Sequence, residues 1–287
     1  MASIVAIHGI GQQLKGPHTL HNEWWPWIRD GVSASGKTLS DGDLVCAFYG
    51  DLFRAPGELR EAADYSYRET DVNEEFESEL LYDWWQAAAS AEPDRVVSPD
   101  AEVRRGVPHS VQAGLRALSR SKFFVGLATH ALIGDLKQVR LYMSEQSVRD
   151  ESQQRVNAVV KSDTRVIVGH SLGSVIAYEA LHRYELASNW ANVRTLVTLG
   201  SPLGISNLIF SRLIPAPNNN VGKWPALLHS WTNLSADNDV VALEKRLGPL
   251  FDRRIIDMRV HNEAKAHDVS PYLTADATGA AIANGLS

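Results

Sequence analysis

Arg165-Val166-Ile167-Val168-Gly169-His170-Ser171-Leu172-Gly173 runs from β-branched residues into a serine with glycine two places before it and two places after it. A buried strand with this ending makes a sharp turn, and Val175, Ile176, Ala180 and Leu181 then recur at helical spacing. Such a strand-turn-helix lifts the serine Oγ above the end of a sheet. It strains the serine backbone and brings its neighbours close to other backbone, so glycine is wanted on both sides. Chance supplies Gly-x-Ser-x-Gly in about a tenth of chains with this composition, so the flanking pattern carries the argument. The stretch predicts an exposed nucleophilic serine, as in a serine hydrolase.

Outward from this elbow, strand signals alternate with helical segments, the mark of a mostly parallel sheet covered by helices. Strands are expected near 3–8, 43–49, 164–169, 193–200, 230–234 and 254–260, and the fold class is α/β with about six strands. The runs at 164–168 and 193–199 are almost continuously apolar, which suits strands buried on both faces. Residues 52–162 are too long for one crossover helix. They are expected to form a helical insertion, cap-like over the site, in a single domain; the alternative is extra core on one sheet face. The last helix of the insertion is expected over 134–161, and an alanine-rich helix over 275–286 closes the chain.

The 287 residues are 44% hydrophobic and 22% charged, as in ordinary globular proteins. A net charge of −6 argues against a nucleic-acid-binding surface. The lone Cys46 forbids an internal disulfide and, with no secretory signal or apolar run of membrane-spanning length, points to the cytoplasm.

A serine hydroxyl needs a base, an orienting acid and an oxyanion hole to act at neutral pH. In a strand-turn-helix site of this type the acid and then the base come after the serine along the chain. Asp237 and Asp239 both lie just past the fifth expected strand. Asp239 is preferred because Val240 and Val241 can anchor its loop, and the other aspartate is expected to cap a turn. His267 sits deep in the loop after the last strand and is preferred as base over His261. The oxyanion donors are expected to be Leu172 N–H, at the positive end of a helix, and Ile10 N–H, from the glycine-rich loop His8-Gly9-Ile10-Gly11. His8 is expected to brace that loop, and His170 to point away from the serine.

The cluster Trp24-Trp25-Pro26-Trp27 and the pair Trp84-Trp85 have three readings: core, acyl pocket or membrane interface. The basic, apolar stretch 104–132 reads as a solvated cap surface, with a peripheral contact to anionic lipid or a protein partner as the alternative. No histidine spacing suggests a metal, and no cofactor is implied.

The chain resembles the α/β-hydrolase superfamily, lipase and esterase branch. Ile7-His8-Gly9-Ile10-Gly11, Gly169-His170-Ser171-Leu172-Gly173 and Leu199-Gly200-Ser201-Pro202-Leu203 carry the resemblance. The elbow through Tyr178 is similar to that of intracellular phospholipase A1-type enzymes. Asn238-Asp239-Val240-Val241 resembles the acid segment of fungal-type lipases, where proline stands in place of Ala242. The resemblance covers the sheet residues and not the insertion, and it implies a fold lacking its first two strands. It also implies a Ser171–Asp239–His267 triad acting on a small-molecule or lipid ester. The alternatives are a thioesterase or peptidase with the same triad, or a catalytically weak interaction module.

Overall fold

The computed structural model describes residues 2–54, 67–73, 75–99, 108–124, 128–262 and 267–287. Its six strands are β1 (Ile4–Ile7), β2 (Leu44–Ala47), β3 (Val166–His170), β4 (Thr195–Leu199), β5 (Ser230–Ala236) and β6 (Ile256–Val260). They form one all-parallel sheet in the order β2-β1-β3-β4-β5-β6. All six lie where the sequence pattern expects strands.

The alternation of side chains along each strand sorts the core into two layers. Ile4, Ala6, Val166 and Val168 face one side, with Leu20, Trp24, Ile28 and Ile282 from helices α1 (Pro17–Ala34) and α8 (Asp276–Gly285). Val5, Ile7 and Ile167 face the other, with Val175 and Ile176 from α6 (Leu172–Arg183). Both faces are covered, so these strands need no polar side, and that is why they read as apolar runs. Cys46 belongs to the first layer, where burial pushes its thiol up to about 12.

The order of the strands also locates a crevice. From β1 the chain moves outward to β2 and then returns across β1 to β3. The loop after β1 leads to α1 on one face, and the loop after β3 leads to α6 on the other. Loops diverging in this way leave a cleft at the carboxyl ends of the two strands, where ligands bind in open α/β sheets. His8-Gly9-Ile10 and Ser171 both stand at this switch point.

The described part of 52–162 contains α2 (Phe76–Ala91), α3 (Pro108–Leu118), α4 (Thr129–Ser144) and α5 (Gln146–Val159). Helix α5 packs on β2 and α6, and α4 packs on α5 and α2. The single helix expected over 134–161 is two helices, because Glu145 adopts extended backbone (φ −101°, ψ 108°) and ends one while starting the next. Buried Glu77 of α2 accepts from Arg140 at 2.7 Å and Lys137 at 3.2 Å, fixing α2 to α4. Within 52–162, residues 55–66, 74, 100–107 and 125–127, the last two including part of the basic stretch 104–132, lie outside the described residues. Among the described residues no helix is long and apolar enough to cross a membrane.

Candidate active site

Ser171 comes directly after β3 and precedes α6, with φ 51° and ψ −129°. A non-glycine residue held there carries about 1–3 kcal/mol of backbone strain. The surroundings fix it: Ser171 N–H donates to Leu199 C=O at 2.9 Å, and its own C=O accepts from Ser174 Oγ at 2.6 Å. Ser201 Oγ lies 2.6 Å from Ser174 Oγ and completes the brace. The flanking glycines answer a steric need. A Cβ on Gly169 would lie 2.7 Å from Ser174 Cα, and one on Gly173 would lie 2.2 Å from Ile7 O; Gly9, on the facing loop, is as confined, since a Cβ there would lie 2.7 Å from Ser171 Cβ.

His267 Nε2 lies 3.0 Å from Ser171 Oγ, and His267 Nδ1 lies 2.9 Å from Asp239 Oδ2. With Nδ1–H donating to the carboxylate, Nε2 is left to accept the serine proton. Asp239 is buried and its other oxygen accepts from Val241 N–H at 2.9 Å and Ala242 N–H at 3.2 Å. Burial alone would raise its pKa. His267, Lys245 and the Tyr272 hydroxyl outweigh that and hold the carboxyl down at about 2. Asp239 is thus an anion at any pH near neutral.

The structure separates the competing residues. Asp237 is largely exposed and pairs with Arg259 at 2.8 Å. His261 is exposed at the end of β6 and makes no described contact with Ser171 or Asp239. Leu172 N–H and Ile10 N–H donate to no group among the described residues, so both remain free for a ligand. Gly11 N–H is taken by Gln138 Oε1 of α4 at 3.1 Å, which anchors the loop. His8 braces it from the other side. Its Nδ1–H donates to Gly9 C=O at 2.6 Å, its Nε2 accepts from Tyr49 N–H at 3.2 Å, and burial lowers its pKa to about 4.

Two residues matter here that the sequence pattern does not assign. His170 does not point away from the site: it faces the same cleft, and its Nε2–H donates to the C=O of His267 at 3.0 Å. Burial drops its pKa to about 3, so it stays neutral beside the His267 ring. It positions the loop that carries His267. Tyr272 of α7 (Val269–Thr274) donates to Asp239 Oδ2 at 2.8 Å and accepts from Ala236 N–H at 2.7 Å. Tyr272→Phe leaves a buried N–H without an acceptor, and unfolding in urea should show a loss of about 1–3 kcal/mol.

The cleft is a cavity of about 660 Å³ lined by Ser171, His267, Ile10 and an aromatic wall that includes Trp24, Trp27 and Trp84. Trp24 and Trp84 belong to the core and also line the cavity, whereas Trp25 and Trp85 pack in the core without lining it, and Trp85 Nε1 donates to Val97 C=O. The insertion contributes Trp84, Phe123, Phe124 and Asp135 to the cavity, as well as covering the sheet face. Compared with protein-family models, curated proteins and solved structures, the chain matches none.

Proposed function

We propose that this chain is a serine hydrolase of the α/β-hydrolase type that cleaves carboxylic esters through an acyl-enzyme. The observation that carries the reading is the continuous relay from Ser171 Oγ to His267 Nε2 (3.0 Å) and from His267 Nδ1 to Asp239 (2.9 Å). It lies at the switch point of a parallel sheet, where such a fold binds its ligands.

The steps come from the geometry. His267 takes the proton of Ser171 Oγ as the oxygen attacks the ester carbonyl, and Asp239 steadies the imidazolium that forms. The carbonyl oxygen gains charge and is held by Ile10 N–H and Leu172 N–H, the latter at the positive end of α6. His267 gives its proton to the leaving alcohol, and the serine remains acylated. Water, deprotonated by the same imidazole, then releases the acid. The aromatic wall fits an acyl chain or a ring.

A fluorophosphonate probe tests this directly, because it reacts only with an activated serine. The wild-type protein is expected to be labelled and Ser171→Ala to be blank. An unlabelled wild type would set the reading aside and favour a hydrolase-fold interaction module. Parallel assays on esters, acyl thioesters and peptide amides then rank the acyl groups.

A further inference from the structure

Helix α4 brings two polar side chains to the oxyanion loop, three residues apart. Gln138 is taken up by Gly11 N–H and by Gln13. Asp135 is not. It lines the cavity with Ser171 and His267, and its Oδ1 lies 3.7 Å from where a Cβ on Gly11 would stand. Among the described residues no hydrogen bond or ion pair holds its half-buried carboxyl.

The other charged groups facing this cavity are engaged or stand at its rim. Lys15, from the loop after β1, is held by Glu23 of α1 at 2.5 Å. Asp268 caps α7 by accepting from Ser270 N–H and Oγ–H, each at 2.9 Å. His267 is bound to Asp239, His170 is neutral, and Lys122 is exposed on the segment before α4. On α4 itself, Lys137 and Arg140 are taken by Glu77 of α2. A desolvated acceptor without a donor is costly, and a ligand that supplies a charge-assisted donor removes that cost. Trp24, Trp27 and Trp84 line the same cavity, and an aromatic ring attracts a cation over its face and disfavours an anion there.

We propose that Asp135 is a specificity-determining residue that binds a protonated amine on the substrate, so that amine-bearing esters are the preferred class. This rests on the serine-esterase reading above. A methyl group in place of the ammonium leaves the carboxylate desolvated and unpaired, which is the arrangement that discriminates most strongly between analogues. Burial pushes the Asp135 carboxyl up to about 7, with the charge of His267 pulling the other way. Below that pH the empty site carries a neutral acid and offers little to an ammonium. The preference for an amine therefore grows as pH rises through about 7.

The test compares p-nitrophenyl esters of ω-amino acids with fatty-acid esters of equal chain length, each corrected for its hydroxide-catalysed rate. The ratio of kcat/KM values cancels any pH dependence of the chemical steps that both esters share. Wild type is expected to favour the amino ester by about tenfold or more at pH 8, with the ratio shrinking toward pH 6. Asp135→Asn is expected to lose both the preference and its pH dependence. A ratio near one, a ratio that falls with rising pH, or a preference that survives in Asp135→Asn would each overturn the proposal. Binding keeps it testable without turnover: n-hexylammonium should quench tryptophan fluorescence at lower concentration than n-hexanol, in wild type and in Ser171→Ala alike. Equal binding of the two ligands also overturns it. Amine binding with neither ester hydrolysed would instead sink the esterase reading and leave the amine site standing.

Discussion

Ser171→Ala is expected to lower kcat on a carboxylic ester by about 10⁴–10⁶-fold, and His267→Ala to lower it as much. A loss at the upper end is about 8 kcal/mol of transition-state stabilisation. In the proposed mechanism neither group has a substitute among the described residues, because Oγ would bond the acyl carbon and Nε2 lies 3.0 Å from it as the base. The two act as a unit. The double variant should therefore be no slower than the worse single one, whereas independent contributions would multiply. Asp239→Asn belongs to the same unit and should cost about 10⁴, since an amide no longer selects the imidazole tautomer that leaves Nε2 free. Activity is not expected to fall to zero in any of these, because in the proposed mechanism Ile10 and Leu172 N–H would still meet the oxyanion. Ser171→Ala retains the Cβ and the strained φ of 51°, so its fold is kept and its stability should stay near that of wild type. Circular dichroism and steady-state kinetics on the same preparations check both halves of this expectation. Multiplicative losses in the double variant would mean that Ser171 and His267 do not share one step.

The relay is legible in the sequence because its parts are tied to local patterns. β3 and β4 read as strands from uninterrupted apolar runs, and the elbow reads from two glycines around Ser171. Asp239 and His267 come in the order a strand-by-strand reading expects, and in the structure His267 lies 2.9 Å from Asp239 while Asp237 pairs with Arg259. The Val240-Val241 anchor is buried, as the preference for Asp239 requires. The features that are not legible depend on contacts between segments far apart in the chain. His170 stands beside the serine in sequence, yet its ring is turned by a bond to the carbonyl of His267, 97 residues away. Gln138 and Asp135 lie on a helix whose polar residues look like any solvated face until that helix is packed on the loop after β1. Trp24 and Trp25 are neighbours in the same core layer, yet Trp24 also lines the cavity and Trp25 does not. No composition or period distinguishes them.

Gly173→Ala is expected to be among the most destabilising single methyl additions in this chain, with a loss of about 3 kcal/mol or more. The added Cβ would stand 2.2 Å from Ile7 O and 2.4 Å from His8 O. Both contacts are to backbone, so no side-chain rotation relieves them. Ile7 sits at the end of β1, paired to β2 on one side and β3 on the other, so the strand cannot shift without breaking the sheet. Gly173 in turn is in the first turn of α6, whose Val175, Ile176 and Ala177 are fully buried. Relief requires α6 to lift away from β1, which opens the core between them. Overpacking in side-chain cores costs about 1–3 kcal/mol, and a backbone clash between two fixed elements exceeds that range. Set against a total stability of about 5–15 kcal/mol, such a loss is a large part of the whole. The same movement would carry Leu172 N–H and Ser171 away from Ile10, so the proposed esterase activity is expected to fall even in the fraction that remains folded. Gly42→Ala is the control: a Cβ there meets nothing within 4 Å, and surface changes of that kind stay within about 0.5 kcal/mol. Urea unfolding monitored by tryptophan fluorescence compares the two. A Gly173→Ala midpoint equal to that of Gly42→Ala would mean that α6 can leave β1 at no cost, and the rigid elbow argued for Ser171 would fail with it.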